Sequence, residues 1–367
     1  MSPQTKIRIL IVDDSRIFRT AVQEALAGEK DFEVVGSVWN GIKAMECIRS
    51  APPHVVTLDI QMPEMDGLET LEAIQKINAN LPPGRRIGVI MLSSHTRRGA
   101  DITVKALEMG AFDFIPKPEG TSLRENLDLL GLQLAVKIRN YAAVSLPEFR
   151  LRSPEAIAPA TPVRTRRETA SRGIEALMIG VSTGGPKALT EILPPLCAGI
   201  DVPVFIVQHM PPTFTQSLAK SLNAKCRYQI TEGADGDIAA RRRAYIAPGG
   251  RHMVLEKTGG ETRIVIHDLP PEKGCRPSID LLFRSGAEVF GRNVIGVILT
   301  GMGTDGTEGA KELKREGALI IAQNEETSVV WGMPGSAKAA GAVDDVLPLQ
   351  DIPKAIVSLV QHKNPFR

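Results

Sequence analysis

The sequence predicts an α/β protein built as two doubly wound parallel-sheet domains in tandem, joined by a Pro-rich linker. Three observations carry that expectation. Short runs rich in Ile and Val alternate with helical patterns twice over, across residues 6–125 and again across 173–364. A change of composition separates the two stretches. The 367 residues, at roughly 150 residues per domain, also suit two domains. Hydrophobic residues make up 43% and charged residues 23% of the chain, which excludes a disordered tail protein or a small disulfide scaffold. Aromatics are only 4%, so the cores must be aliphatic.

In the first domain the strand candidates are IRILIV, EVVGSV, HVVTLDI, IGVIML and AFDFIP. Helical patterns fill the intervals at Ser15–Ala27, Gly41–Ser50, Gly67–Asn78 and Gly99–Met109, and a last helix over about 121–141 closes the domain. From Ala142 to Arg172 the chain turns Pro-rich and basic, with Pro147, Pro154, Pro159 and Pro162 and no Gly. Residues 126–172 therefore read as a helix end followed by a semi-extended linker. In the second domain the strand candidates are EALMIGVS, VPVFIVQH, AYIAP, RIVIHD, VIGVILT and GALIIAQ. Helices are expected at Pro186–Leu193, Thr213–Asn223, Ser278–Val289, Asp305–Glu316, Ser336–Ala340 and Asp351–His362.

The net charge of +2 gives no basic excess of the kind a nucleic-acid surface shows. Cysteines stand at 47, 197, 226 and 275 with no C-x-x-C pair, so reduced thiols and a cytoplasmic location are expected. The N-terminus lacks a signal-peptide pattern, and no run of about 18 apolar residues predicts membrane insertion.

Ligands of open parallel sheets sit beyond the carboxyl ends of the strands. In the first domain those ends carry Asp13-Asp14, Asp59, Ser93-Ser94 and Lys117. Carboxylates converging on one crevice repel unless a cation joins them, and a hard oxygen-liganding ion such as Mg²⁺ fits. Asp59 is then placed to attack a phosphoryl group, with Lys117 and a hydroxyl holding the new phosphate oxygens. Any one of these acids alone, Asp14 above all, reads equally as a helix cap; the set argues for function. The stretches ILIVDDS, VVTLDIQMPEMDG, VIMLSS and GAFDFIPKP resemble the receiver domain of two-component response regulators over residues 6–125. The resemblance implies that Asp59 is the phosphoacceptor, that Asp14 is a direct metal ligand and Asp13 an indirect one, and that the Gln61 carbonyl completes the Mg²⁺ site. It further makes Ser93 the switch hydroxyl, Lys117 the phosphate contact and Phe114 the switch aromatic.

The second domain opens with a literal G-x-S-x-G, Gly180-Val181-Ser182-Thr183-Gly184, followed by Pro186. Its glycines permit a tight strand-to-helix turn that presents Ser182, and the helix N-terminus offers N–H groups to an oxyanion. A Gly- and Ser-rich turn can also cradle a phosphate. Among six histidines, His209 at the end of VPVFIVQH is best placed as a base, with His252 and His267 as alternatives. Asp305 follows VIGVILT in a Gly-rich turn and reads either as the acid that orients the base or as a helix N-cap. The order Ser, His, Asp is no obstacle, because a triad is defined by geometry.

IGVSTGGP, VQHMPPTFT, IAPGGRHM, PSIDLLF, LTGMGTDG and AQNEETSVVWGMP are together similar to the catalytic domain of the bacterial chemotaxis protein-glutamate methylesterases, over residues 173–364. That resemblance implies a Ser182–His209–Asp305 triad, with Thr183 and the backbone of Met302 as oxyanion candidates. It implies demethylation of glutamate γ-methyl esters on chemoreceptors and deamidation of specific glutamines. It also implies a chemotaxis histidine kinase as phosphodonor, Mg²⁺ for receiver phosphorylation and no cofactor for ester hydrolysis. One departure stands out: the family commonly shows a His near the position of Cys275. Control of the esterase is expected to come from the unphosphorylated receiver covering the mouth around Ser182 and Met302. Two other readings were open. A conventional α/β-hydrolase would need Asp344 or Asp345 with His362, and a non-enzymatic protein would join a receiver to a phosphate-binding or scaffold module. A DNA-binding regulator would need a basic recognition helix that the second domain lacks.

Overall fold

The computed structural model describes residues 6–118, 122–149 and 173–361. The chain divides into two compact units, Met1–Val163 and Arg164–Arg367. Most of the Pro-rich stretch lies outside the described residues, as does His362.

In the first unit, β1 (Ile7–Val12), β2 (Phe32–Val38), β3 (Val55–Asp59), β4 (Gly88–Ser93) and β5 (Asp113–Pro116) form one sheet of order β2-β1-β3-β4-β5. Every pairing is parallel. The helices are α1 (Arg16–Leu26), α2 (Gly41–Ser50), α3 (Gly67–Asn78), α4 (Arg97–Glu108) and α5 (Leu123–Ser145). Each starts on a side-chain cap: Ser15, Asn40, Asp66, Thr96 and Ser122 accept an N–H of the following turn. Asp66 and Glu69 close a reciprocal capping box. The cap of α1 is thus Ser15, which leaves Asp14 free of that duty. β3 and β4 are buried along their whole length, as strands covered by helices on both faces must be. α5 runs four residues past its expected end, and a 3₁₀ turn at Pro147–Phe149 follows, with the Phe149 ring set edge-on to His54 at 5.9 Å.

The second unit contains a seven-stranded sheet built from β6 (Ala176–Val181), β7 (Val204–Gln208), β8 (Gln229–Glu232), β9 (Arg243–Ile246), β12 (Val294–Ile298), β13 (Leu319–Gln323) and β14 (Asp345–Leu347). Its order is β14-β13-β12-β6-β7-β9-β8, again wholly parallel. β10 (His252–Thr258) and β11 (Glu261–His267) form a separate antiparallel pair. The helices are α6 (Gly185–Gly199), α7 (Phe214–Asn223), α8 (Ile279–Phe290), α9 (Thr307–Arg315), α10 (Gly332–Ala339) and α11 (Ile352–Gln361). The core is aliphatic where α8 packs: Met178, Ile279, Leu282, Val294, Ile298 and Leu313 are all wholly buried.

Three expectations need correction. RIVIHD is not part of the parallel alternation but the second strand of the β10–β11 hairpin. Gly259 and Gly260 at the turn have φ of 60° and 86°, the left-handed pair that a two-residue hairpin turn requires. α6 continues six residues past Leu193 and contains both Pro194 and Pro195, at the cost of two N–H donors. α10 begins at Gly332 rather than Ser336, because Pro334 falls in its first turn, where a missing N–H is harmless.

Both sheets have the chain reversing direction beside their first strand, between β1 and β3 in one and between β6 and β12 in the other. Such switch points open a crevice at the carboxyl edge.

Candidate functional site

In the first unit the switch point gathers the acids. Asp13 is fully buried at the end of β1, Asp59 is 6% exposed at the end of β3, and Asp14 faces solvent. One oxygen from each of the three carboxylates lies within 4.8 Å of the others. Lys117 Nζ reaches Asp13 Oδ2 at 2.7 Å and Asp59 Oδ1 at 2.8 Å, and sits over the Phe18 ring. Burial, helped by the Asp13 charge, raises the Asp59 pKa against the pull of Lys117. Burial opposes the Lys117 charge, but the two carboxylates outweigh it and raise its pKa. One lysine therefore offsets only part of the negative charge, and the all-oxygen donor set fits a small divalent cation. The Gln61 carbonyl accepts no hydrogen bond among the described residues, so it is available to such an ion.

Ser93 is buried at the end of β4, and the Lys117 backbone N–H donates to its carbonyl at 2.7 Å. Its hydroxyl is engaged elsewhere: Thr103 Oγ1 donates to it at 2.7 Å, and it lies 3.2 Å from the Ser94 carbonyl. Phe114 is 6% exposed on β5.

In the second unit β12, β6 and β7 are neighbours, and their carboxyl ends lead to Asp305, Ser182 and His209. Ser182 N–H donates to the Thr300 carbonyl at 3.0 Å, and His209 N–H to the Val181 carbonyl at 3.1 Å. The turn after Ser182 needs its glycines. Gly184 has φ of 80°, and a Cβ at Gly185 would fall 1.9 Å from Gln208 Oε1. Gly301 is equally constrained, since a Cβ there would lie 2.8 Å from that of Ser182.

His209 Nε2 and Asp305 Oδ2 are 2.8 Å apart. Asp305 is 3% exposed and densely solvated by the protein. The N–H groups of Ile279 (2.8 Å), Asp280 (3.0 Å) and Gly306 (3.0 Å) and the Ser278 hydroxyl (3.0 Å) all donate to its carboxylate. Burial works against the charge, but His209 and these donors prevail and hold the Asp305 pKa below the ordinary carboxylate value. Asp305 does not cap the helix that follows it. Gly306 takes that position for α9, while Asp305 sits on the N-terminus of α8. The role of PSIDLLF, whose Ser278 and Ile279 hold the acid, carried no sequence signal beyond the family resemblance.

With Nε2 committed to Asp305, the ring nitrogen of His209 left available is Nδ1. No hydrogen bond joins Ser182 to that ring among the described residues; the atom near Nδ1 is Cys275 Sγ, at 4.0 Å. Burial alone would depress the His209 pKa, but Asp305 and Cys275 push it up to about 9. Met302 is 40% exposed, and its N–H makes no hydrogen bond among the described residues, so it is open to an oxyanion. The Thr183 carbonyl accepts from Thr300 Oγ1 at 3.0 Å.

Of the alternatives to His209, His252 is engaged elsewhere, and His267 lies on the β10–β11 hairpin outside the parallel sheet. Buried His252 accepts from Ser278 N–H at Nδ1 and meets the Pro270 carbonyl at Nε2, and His267 pairs with it across β10–β11. Asp344 accepts from Ile320 N–H at 2.9 Å, and β14 lies three strands from β6, about 14 Å at ordinary strand spacing. That removes the acid of the conventional hydrolase reading.

Fold and site define a doubly wound α/β domain with a buried His–Asp pair beside a strand-end serine, sharing its chain with a second α/β domain that carries an acidic pocket. Residues 9–128 match the response regulator receiver domain family and residues 177–356 the CheB methylesterase family. The protein-glutamate methylesterase/protein-glutamine glutaminase of Desulfotalea psychrophila is 42% identical over 97% of this chain and 99% of its own. The enzyme of that name from Pyrococcus abyssi is 38% identical over 97% of this chain and 94% of its own. Among solved structures, the Thermotoga maritima CheB methylesterase catalytic domain is similar (39% identity, TM-score 0.49), covering 51% of this chain and 98% of that one. The chain belongs to the protein-glutamate methylesterase/protein-glutamine glutaminase family.

Two predictions follow from the geometry. Asp305→Asn should lower kcat by about 10⁴, the loss known for this change in another Ser-His-Asp enzyme, because an amide neither fixes the ring tautomer nor stabilises the imidazolium. It should also lower stability by about 1–3 kcal/mol in urea unfolding, because the amide NH₂ must face a backbone donor. Near-normal turnover would reduce Asp305 to a structural anion. Secondly, a base must be neutral to work, so a raised His209 pKa moves activity to alkaline pH. kcat/KM should climb with pH through an apparent pKa above the ordinary His value of about 6.5. A plateau already reached at pH 6.5 would contradict the charge environment described.

Proposed function

We propose that this protein is a phosphorylation-controlled serine esterase that hydrolyses glutamate γ-methyl esters on chemoreceptors and deamidates specific receptor glutamines, as the names of its relatives describe. The observation that carries the reading is the 2.8 Å contact of His209 with a buried, fully solvated Asp305, at a strand end next to the Ser182 turn.

His209 Nδ1 takes the Ser182 proton as Oγ attacks the ester carbonyl. The developing oxyanion is received by the Met302 N–H, with the Thr183 backbone as a second candidate. The imidazolium then gives its proton to the leaving methoxide, and methanol departs. Water, activated by the same nitrogen, hydrolyses the acyl-enzyme and releases the glutamate carboxylate. With a glutamine substrate the leaving group is ammonia and the rest is unchanged. Ester hydrolysis in this scheme uses no cofactor.

In the receiver, Asp59 accepts a phosphoryl group from a chemotaxis histidine kinase, and Lys117 and Ser93 hold its oxygens. Asp13, Asp14, Asp59 and the Gln61 carbonyl would hold Mg²⁺, which supplies charge neutralisation for the transfer. Rotation of Ser93 and repacking of Phe114 report the change. The substrate places this work in the cytoplasm, where receptor methyl esters are exposed. No described helix is long and apolar enough to cross a membrane.

Ser182→Ala should reduce methanol release from methylated receptor to background and abolish labelling by an organophosphonate, with circular dichroism unchanged. Persistent labelling would place the nucleophile elsewhere. Control is tested on the other domain. With Mg²⁺ and a small phosphodonor, wild type should acquire a base-labile phosphate and turn over faster, while Asp59→Asn should do neither. A fragment of residues 173–367 should outpace the unphosphorylated whole chain and ignore phosphodonor. A folded fragment no faster than the whole chain would mean that the receiver activates rather than restrains.

A further inference from the structure

We propose that His209 Nδ1 and Cys275 Sγ form a binding site for a thiophilic divalent cation, Zn²⁺ or Cd²⁺, whose occupancy reversibly blocks the esterase. The cation-binding half stands on its own; the block rests on the triad reading above.

The distances suit such an ion. Zn–N and Zn–S bonds are about 2.0–2.1 and 2.3 Å, so a tetrahedral angle needs the two donor atoms about 3.6 Å apart. They are 4.0 Å apart here, and closing the gap takes a few tenths of an ångström from two side chains. With the Asp305 carboxylate they make a group whose donor atoms all lie within 4.8 Å of one another.

The histidine is already oriented for metal binding. Metal-bound imidazoles usually donate their second ring N–H to a carboxylate, which fixes the tautomer and raises the basicity of the ligating nitrogen. Asp305 does this to Nε2 at 2.8 Å and is itself immobilised by four donors. In the neutral imidazole, the form that a metal ion binds by displacing the proton, the lone pair is thereby left on Nδ1, the atom beside the thiol.

Cys275 is also held in place. Its N–H donates to the Glu272 carbonyl at 2.9 Å, and Glu272 N–H returns the bond at 3.1 Å. The turn between them runs through Lys273 and Gly274, with φ of 50° and 80°. The side chain is half-buried, so solvent ions have access.

The chemistry selects the ion. A thiolate and an imidazole suit Zn²⁺ and Cd²⁺, whereas Mg²⁺ prefers oxygen and belongs to the acidic pocket of the receiver. Two protein ligands leave two positions to water or to the Ser182 hydroxyl, so binding is reversible rather than structural. An ion on Nδ1 occupies the lone pair that must accept the Ser182 proton, and turnover stops.

The test uses the full-length protein without phosphodonor. Titration with Cd²⁺ should produce the ultraviolet charge-transfer absorbance of a cadmium–thiolate bond, and both Cys275→Ser and His209→Ala should lose that increment. The other three cysteines remain as an internal background. In parallel, saturating Zn²⁺ should cut wild-type methanol release at least tenfold, and a zinc-selective chelator should restore it. Cys275→Ser, referred to its own metal-free rate, should need at least tenfold more Zn²⁺ for the same loss. An unchanged cadmium–thiolate increment in Cys275→Ser, or equal Zn²⁺ sensitivity of the two proteins, would overturn the proposal. The absorbance arm needs no catalysis, so it stands or falls separately from the triad, which Ser182→Ala tests.

Discussion

The ionised, buried carboxylate of Asp305 is the constraint on which the carboxyl edge of the second domain depends. An unpaired buried carboxylate costs several kcal/mol, so the fold must surround it with donors. It does so with the first N–H groups of α8, the Ser278 hydroxyl, Gly306 N–H and finally His209. These partners come from three separate stretches of chain. Satisfying one charge therefore fixes β12, α8 and the loop after β7 relative to one another. His252, which accepts the Ser278 N–H, ties the β10–β11 hairpin to the same node. The hairpin, foreign to a doubly wound sheet, is thus bonded to the residue that leads into α8.

The helix starts show how differently the two domains use the same architecture. All five helices of the first domain begin on a side-chain cap, whereas α6, α8 and α9 have none of their own. The caps of α6 and α9 are glycines in the left-handed conformation, and the Ser278 hydroxyl at the start of α8 is turned to Asp305 instead. A missing Ser or Asp cap costs about 0.5–2 kcal/mol. In exchange the positive end of α8 is given to the Asp305 carboxylate, and the first turn of α9 gives Gly309 N–H to the Asp280 side chain. In the receiver the balance is reversed. Negative charge accumulates at the switch point and is only partly matched by Lys117, which leaves the pocket suited to a cation.

Strand ends were legible because polar residues there break the pattern that surrounds them: Asp13-Asp14, Asp59, Ser182 and His209 close strand-like runs, and Asp305 follows one through a Gly-rich turn. The parallel sheets followed from the alternation itself. What stayed hidden was carried by residues without periodicity. β8 and β14, of four and three residues at the sheet edges, offer no apolar run to read. The hairpin had a signal, the Gly259-Gly260 pair in KTGGET, that its flanking charges masked. Pro194-Pro195 argued for a helix end, yet the apolar face of α6, with Leu193, Leu196 and Cys197 buried, outweighs two lost N–H bonds. The grip of α8 on Asp305 joins positions 25 to 27 residues apart in sequence, beyond any local pattern. Cys275 was visible as a departure from its family, but only the fold places its sulfur beside Nδ1 of His209.

Gln208 explains how the Ser182 and His209 turns keep their places although no hydrogen bond joins the two side chains among the described residues. It is 2% exposed, and its Nε2 donates to the Ser182 carbonyl at 3.0 Å and to the His209 carbonyl at 3.2 Å. Its Oε1 is buried without a partner, against the Cα of Gly185 where any larger residue would collide. An acceptor without a partner among the described residues costs about 1–3 kcal/mol, and here it accompanies a clamp across the turns that follow β6 and β7. The backbone of both turns is thereby fixed to the sheet, through β6–β7 pairing below and Gln208 above. What remains free is rotation of the Ser182 hydroxyl and the small shift that frees Nδ1 from Cys275. A pre-set backbone with mobile side chains suits an esterase whose activity is regulated by phosphorylation of the receiver domain it shares a chain with.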